Sequence, residues 1–190
     1  MRFVYRYLFV VMWVAYILYW RFMAADVKAD ERIEAKGTRQ LRLIVMVAAL
    51  VLLAIPQIPL WVLDWRFLPE GLWWFWVGVA VTASGLLFSI WARRYLGQNW
   101  SQAVSIKKDH ELITGGPYSL VRHPIYTGML LGLLGSAIEV GKWRGLLAVA
   151  LVFVVLLRKL RLEEQWMRSQ FGETYEHYAS RTTALVPFVL

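Results

Sequence analysis

Apolar residues along this chain fall into long runs separated by short charged stretches, with little of the alternation that marks a half-buried strand. A bilayer core is crossed by roughly 20 apolar helical residues, with a range of about 17–25. Five runs reach or approach that length, at about 4–23, 41–62, 72–92, 124–139 and 143–160. Pro56 and Pro59 break the second near its end, and "EVGKWRG" joins the last two closely enough to force a tight helical hairpin. A cleaved signal peptide would have an apolar core of only about 7–15 residues. The first run is longer and ends in "YWRF", so it is read as a helix. The pattern predicts an all-α integral membrane protein with about five transmembrane helices. In the fourth, Gly128, Gly132, Gly135 and Ser136 form a small-residue face that permits close helix approach, here expected to serve the hairpin with the fifth.

Composition supports the membrane reading. The 190-residue chain is 59% hydrophobic and 18% charged, against about 45–50% and 25% in globular domains. It has no cysteine, which excludes disulfides, thiolate zinc sites and cysteine nucleophiles. The net charge of +8 is read as topology and contact with anionic lipid, not as nucleic-acid binding. Sixteen of the 21 Lys and Arg residues fall in 21–42, 93–123 and from 158 onward. Basic residues favour the cytoplasmic side, so the N-terminus is expected outside, with the 93–123 loop and the C-terminal tail cytoplasmic. Residues 24–40, mixed in charge and rich in Ala, are expected to form a solvated short helix or linker. Trp and Tyr clusters near the span ends are read as interfacial anchors.

Candidate chemistry gathers at one interface. The loop "NWSQAVSIKKDHELITGGPYSLVRHP" holds His110, Leu112, Gly116, Pro117, Tyr118, Arg122 and His123. Proline is well tolerated at the first helical position, so Pro124 is expected to open the fourth helix, with His123 at its cap and Tyr126 in its first turn. A free helix N-terminus beside Arg122 would suit a carboxylate or phosphate. The fifth span runs out through "RKLRLEEQW", 158–166, where the adjacent Glu163 and Glu164 point about 100° apart on a helix. Taken alone, that segment also reads as a solvated charged helix end. No metal site is expected, because the three histidines form no i, i+4 pair with one another and no HExxH pattern occurs. GxGxxG and Walker loops and a GxSxG nucleophile elbow are all lacking.

Three motifs in order, "HELITGGPYSLVRHPIYTG" at 110–128, "EE" at 163–164 and "FGETYEHY" at 171–178, precede a late Pro187. In these the C-terminal half resembles the isoprenylcysteine carboxyl methyltransferase and phospholipid methyltransferase family of integral membrane enzymes. The resemblance covers roughly 93–190 and implies a catalytic region there, with 1–92 supplying the first three helices. It implies methyl transfer from S-adenosylmethionine, leaving S-adenosylhomocysteine, to a lipid-borne or amphiphilic acceptor. His110, Leu112, Gly116, Pro117, Tyr118, His123 and Tyr126 would line the cofactor cavity, and Glu163 and Glu164 would meet the cofactor's positive groups. Arg122, Arg158 and Glu163 are the catalytic candidates, the two arginines as holders of the acceptor. A carboxylate acceptor, as in isoprenylcysteine carboxyl methylation, is favoured over a phospholipid amine. A sterol-reductase-like NADPH enzyme is opposed by the glutamate pair, which would repel a phosphate-rich cofactor. A membrane scaffold is opposed by the clustering of motifs at one interface. The Ala/Val/Leu/Arg/Trp bias hints at a bacterial inner (cytoplasmic) membrane. No oligomeric state is read from the sequence.

Overall fold

The computed structural model describes residues 2–23, 30–54, 61–100, 105–107 and 111–187. Among these, helices dominate: α1 (Arg2–Met23), α2 (Lys36–Ala54), α3 (Leu72–Leu96), α4 (Pro124–Val140), α5 (Trp143–Phe171) and α6 (Glu173–Ala179). The predicted runs at 4–23, 72–92 and 124–139 match α1, α3 and α4 within a few residues. The second is helical from Lys36 to Ala54, and Pro56 and Pro59 lie outside the described residues. α2 and α3 are long and apolar enough to cross a membrane, and α4 and most of α1 are shorter apolar helices.

α5 corrects the expected end of the fifth run. It continues unbroken for 29 residues to Phe171, about 43 Å at 1.5 Å per residue. That exceeds a hydrocarbon core of about 30 Å, so Glu163 and Glu164 ride on a rigid extension of the same helix. The hairpin between α4 and α5 is as tight as predicted. Gly141 closes α4 in the left-handed conformation at φ 65°, its N–H donating to the Ala137 carbonyl at 2.9 Å.

Of the stretch 24–40, the described part, 30–40, departs from the expected helix or linker. β1 (Asp30–Ile33) pairs antiparallel with β2 (Ser105–Lys107), a two-stranded ribbon on an otherwise helical protein, and α2 begins already at Lys36. Helix propensity here is too local to win, because a short segment cannot repay helix nucleation and the partner strand arrives from a distant loop.

The small-residue face of α4 packs against α3, not α5 as expected. A Cβ on Gly85 would sit 2.5 Å from the Gly128 carbonyl oxygen, and one on Gly78 would sit 2.7 Å from that of Gly135. Thr82 donates its hydroxyl to the Gly132 carbonyl at 3.1 Å within this seam. α4 meets α5 through Ala137 and Gly145 instead. α1 is pinned to the pair by Trp13 Nε1 donating to Ser136 Oγ (3.0 Å) and by Tyr16 Oη paired with Ser89 Oγ (2.8 Å). Arg93, read from sequence as a loop charge, is buried in the last turn of α3. It donates to the Met23 carbonyl at 2.6 Å and lies over the Trp100 ring, tying the end of α1 to α3.

Candidate active site

A cavity of ≈ 850 Å³ opens where the end of α1, the start of α2, the start of α4, the extension of α5 and α6 converge. Pockets for organic cofactors typically run to about 300–1,000 Å³. Its wall combines aromatic side chains (Trp20, Trp100, Tyr118), the flexible apolar Met46 and Met129, and one deep polar group.

That group is built around Glu163. Pro124 starts α4 immediately after His123, which puts His123 and Tyr126 one turn apart with their rings stacked, 5.4 Å between centroids and 5° between planes. Tyr126 Oη donates to the Glu163 carboxylate, 2.6 and 2.7 Å from its two oxygens. Lys159, one helical turn before Glu163, holds its ammonium 3.6 Å from the same carboxylate, and His123 Nδ1 lies at 3.5 Å. Burial alone raises the Glu163 pKa, but Lys159, His123 and Tyr126 outweigh it and hold the carboxyl below its ordinary range. For His123 burial pulls downward, yet the two glutamates prevail and its pKa is raised.

Glu164 turns away from the cavity, as the 100° step along a helix requires. Arg122 Nε donates to Glu164 Oε1 at 2.6 Å, and Arg168 approaches its other oxygen at 3.4 Å. His123 Nε2, at 3.4 Å, makes an ion-pair contact without hydrogen-bond geometry. Burial raises the Glu164 pKa, and His123 and Arg122 more than offset it, bringing it to about 2. Arg122 also donates to the carbonyls of Ala179 (3.2 Å) and Thr182, while its own N–H and that of His123 bond the carbonyls of Thr183 (2.8 Å) and Ala184 (3.0 Å). Thr127 adds a bond to the Leu185 carbonyl at 2.6 Å. The segment after α6 is thereby stapled across the Arg-His-Pro motif. The carboxylate that meets Arg122 at the start of α4 is the protein's own Glu164, and the N–H groups of Tyr126 and Thr127 already bond the His123 carbonyl at 3.0 Å.

Gly116 and Pro117 lie behind the cavity wall. Gly116 has φ +58°, and a Cβ there would meet the Tyr95 ring at 2.6 Å, so the Gly-Gly-Pro turn is a seat for Tyr95 beneath the buried Tyr118. Of the residues singled out in the sequence, Leu112, Tyr118, Arg122, His123, Tyr126 and Glu163 line the cavity. Gly116, Pro117 and Glu164 stand behind it, and His110 lies outside the described residues. Arg158 is on the exposed face of α5, off the cavity wall; the base of that run which meets the cavity is Lys159.

Sequence reasoning missed the wall that α1, α2 and α6 contribute. Tyr175 and Tyr178, within the quoted "FGETYEHY", are spaced i, i+3 and both reach the cavity. On α2, Lys36, Arg39, Gln40, Leu43 and Met46 follow helical periodicity, which marks one face without saying what it meets.

The phospholipid methyltransferase family profile matches residues 73–174, more than half of the chain. The chain belongs to that family. Among proteins similar to this chain, the protein-S-isoprenylcysteine O-methyltransferase of Schizosaccharomyces pombe is 34% identical over 96 residues, 49% of this chain and 41% of the relative. The cobalt-zinc-cadmium resistance protein CzcN of Cupriavidus metallidurans is 36% identical over 94 residues, 48% of this chain and 43% of the relative. The matched stretches thus span less than half the length of these relatives. The solved eukaryotic intramembrane Ras methyltransferase ICMT shares the fold at a TM-score of 0.52 and 22% identity, over 83% of this chain and 55% of that one. Family membership and the apolar helices make this a membrane protein.

Proposed function

We propose that the protein is an integral membrane methyltransferase that takes its methyl group from S-adenosylmethionine and methylates a lipid-borne or amphiphilic carboxylate. The observation that carries this reading is Glu163, a buried carboxylate held by Tyr126, Lys159 and His123 on the wall of an aromatic-lined cavity. S-adenosylmethionine, when bound, supplies an electrophilic methyl on a sulfonium, and the residues present suit such a ligand. Glu163 offers a fixed negative charge to a cation, and Trp20, Trp100 and Tyr118 offer faces to a purine. The cofactor's carboxylate needs a cation, which the cavity wall also provides.

The chain's contribution is alignment and charge placement. In-line displacement gains much of its rate from pre-set geometry, and the three partners of Glu163 prevent it from rotating. They also make it a poor proton acceptor, since its pKa is lowered. An amine acceptor needs a base to take its proton; a carboxylate acceptor is already ionised near neutral pH. This favours esterification of a carboxylate over methylation of a phospholipid amine. In the proposed topology α1–α5 form five spans, with the N-terminus outside and the cavity facing the cytoplasm from a bacterial inner membrane. The region 93–190 carries the chemistry against a wall lent by α1 and α2.

Calorimetry on the detergent-solubilised protein tests the reading with S-adenosylmethionine, S-adenosylhomocysteine and NADPH. Binding of the adenosyl ligands without NADPH is expected; NADPH binding alone would overturn it in favour of a reductase. The NADPH arm is needed because Arg122, Lys159 and Arg168 neutralise much of the glutamate charge that would repel phosphate. With labelled cofactor, product methyl should be released as methanol by base, as an ester is, whereas an N-methyl group would persist.

A further inference from the structure

The wall of the cavity that faces Glu163 from α1 and α2 is basic. Arg21, Lys36, Arg39 and Arg42 all line it. Arg42 is matched by the buried Glu34 in a two-point ion pair. Arg21, Lys36 and Arg39 have no ion-pair partner among the described residues, and all three are exposed, which places them toward the opening. Arg21 sits in the last turn of α1, where the helix dipole favours a cation. For Lys36 and Arg39 the same dipole works in the opposite sense. They stand in the opening turns of α2, whose first turn contains no acid, so each adds to the positive end of the helix. A topology signal accounts for basic residues in a loop, but it does not require them to be aimed into a cavity. Further along the same helices the wall turns apolar, with Ile17 one turn before Arg21, Leu43 and Met46 one and two turns past Arg39, and Leu156 two turns before Glu163. The complement of such a wall is an acidic head followed by an apolar tail.

We propose that Lys36 and Arg39, with Arg21, form an anion-binding subsite that takes the acidic headgroup of a tailed membrane lipid at the cavity opening. Its tail lies along Ile17, Leu43 and Met46, so anionic amphiphiles enter ahead of neutral or cationic ones. Anionic headgroups are concentrated at cytoplasmic bilayer surfaces. The subsite stands on the geometry of the mouth; its use in admitting an acceptor rests on the methyltransferase reading.

The test is calorimetry on the full chain in dodecyl maltoside, titrated separately with dodecyl phosphate, inorganic phosphate, dodecyltrimethylammonium and S-adenosylhomocysteine. Dodecyl phosphate is expected to bind at least tenfold more tightly than inorganic phosphate or the ammonium amphiphile. Lys36→Gln/Arg39→Gln should weaken it at least tenfold, with S-adenosylhomocysteine affinity changed less than twofold. Lys36→Arg/Arg39→Lys, which keeps both charges, should retain binding and shows that the neutral pair fails through charge. Equal dodecyl phosphate affinity in the neutral variant overturns the proposal, as does equal affinity for the ammonium amphiphile. Inorganic phosphate binding as tightly would make this a free-anion site and overturn the lipid assignment. A selective loss of S-adenosylhomocysteine affinity would assign the cations to the cofactor's carboxylate instead. Absence of S-adenosylhomocysteine binding to the unaltered protein, with dodecyl phosphate still bound, would remove the methyltransferase reading and leave the subsite standing.

Discussion

Arg122 and Glu164 stand 42 residues apart in the chain and 2.6 Å apart in the fold, joined by a buried ion pair. The same guanidinium bonds the carbonyls of Ala179 and Thr182. Arg122 therefore clasps α4, α5 and the segment beyond α6, and its charge is already matched by the protein.

Removing one partner of a buried pair costs about 3–5 kcal/mol, because the other charge is left without compensation. Arg122→Ala and Glu164→Gln should each lower the thermal unfolding midpoint by several degrees, read from Trp fluorescence. The double variant should lose clearly less than the sum of the two, and trypsin should cleave faster at Arg181 in all three. Strictly additive losses with unchanged cleavage would show that the clasp does not hold the tail.

The two glutamates should separate by phenotype. Glu163→Gln keeps the shape of the site but removes its negative charge, so S-adenosylhomocysteine affinity should fall at least tenfold, whatever stability is lost with the Lys159 and His123 pairs. Glu164→Gln should lower the unfolding midpoint with S-adenosylhomocysteine affinity changed little, since that residue faces the tail. Equal binding losses at both positions would mean that both meet the ligand.

The seam of α3 and α4 leaves no room for a methyl group at Gly85 or Gly128. Overpacking costs about 1–3 kcal/mol and sometimes more, so Gly85→Ala should reduce stability and the yield of folded protein in detergent. Gly37→Ala, with nothing within 4 Å of its added Cβ, is the matched control. It should be neutral or slightly stabilising, as Ala is favoured over Gly in a helix.

His123 makes stability depend on pH in a definite direction. Its folded pKa is raised above the ordinary value of about 6.5, so its contribution is complete below that value and is lost as pH rises through the folded pKa. The unfolding midpoint should therefore fall as pH rises above about 6.5, and His123→Gln should be less stable at pH 6 and flatter on the alkaline side. Glu164, lowered to about 2, gives the opposite limb: its contribution is present above about pH 4.3 and fades as pH drops toward 2. A His123→Gln variant that tracks the unaltered protein would remove the imidazolium as the cause of the alkaline loss.

Much of the fold was legible because its signals are local. The apolar runs located α1, α3 and α4 to within a few residues, Pro124 opened α4 as predicted, and Gly141 closed the hairpin. The ribbon of Asp30–Ile33 with Ser105–Lys107 was not legible, since neither segment carries a pattern that names its partner. The glycine face of α4 was visible, but its match lies at Gly78 and Gly85 on α3, and periodicity marks a face without stating what it meets.

The candidate site divides along the same line. Helix geometry alone dictates that Glu163 and Glu164 point about 100° apart, so the sequence by itself determined that only one of them could face a given cavity. Which one does so depends on the rotation of α5 about its axis, set by its packing on α2 and α4. That rotation sends Glu163 to Tyr126 and His123, Glu164 to Arg122, and Arg158 to the exposed face. These outcomes rest on contacts between residues tens of positions apart, and no local pattern in a single chain encodes them.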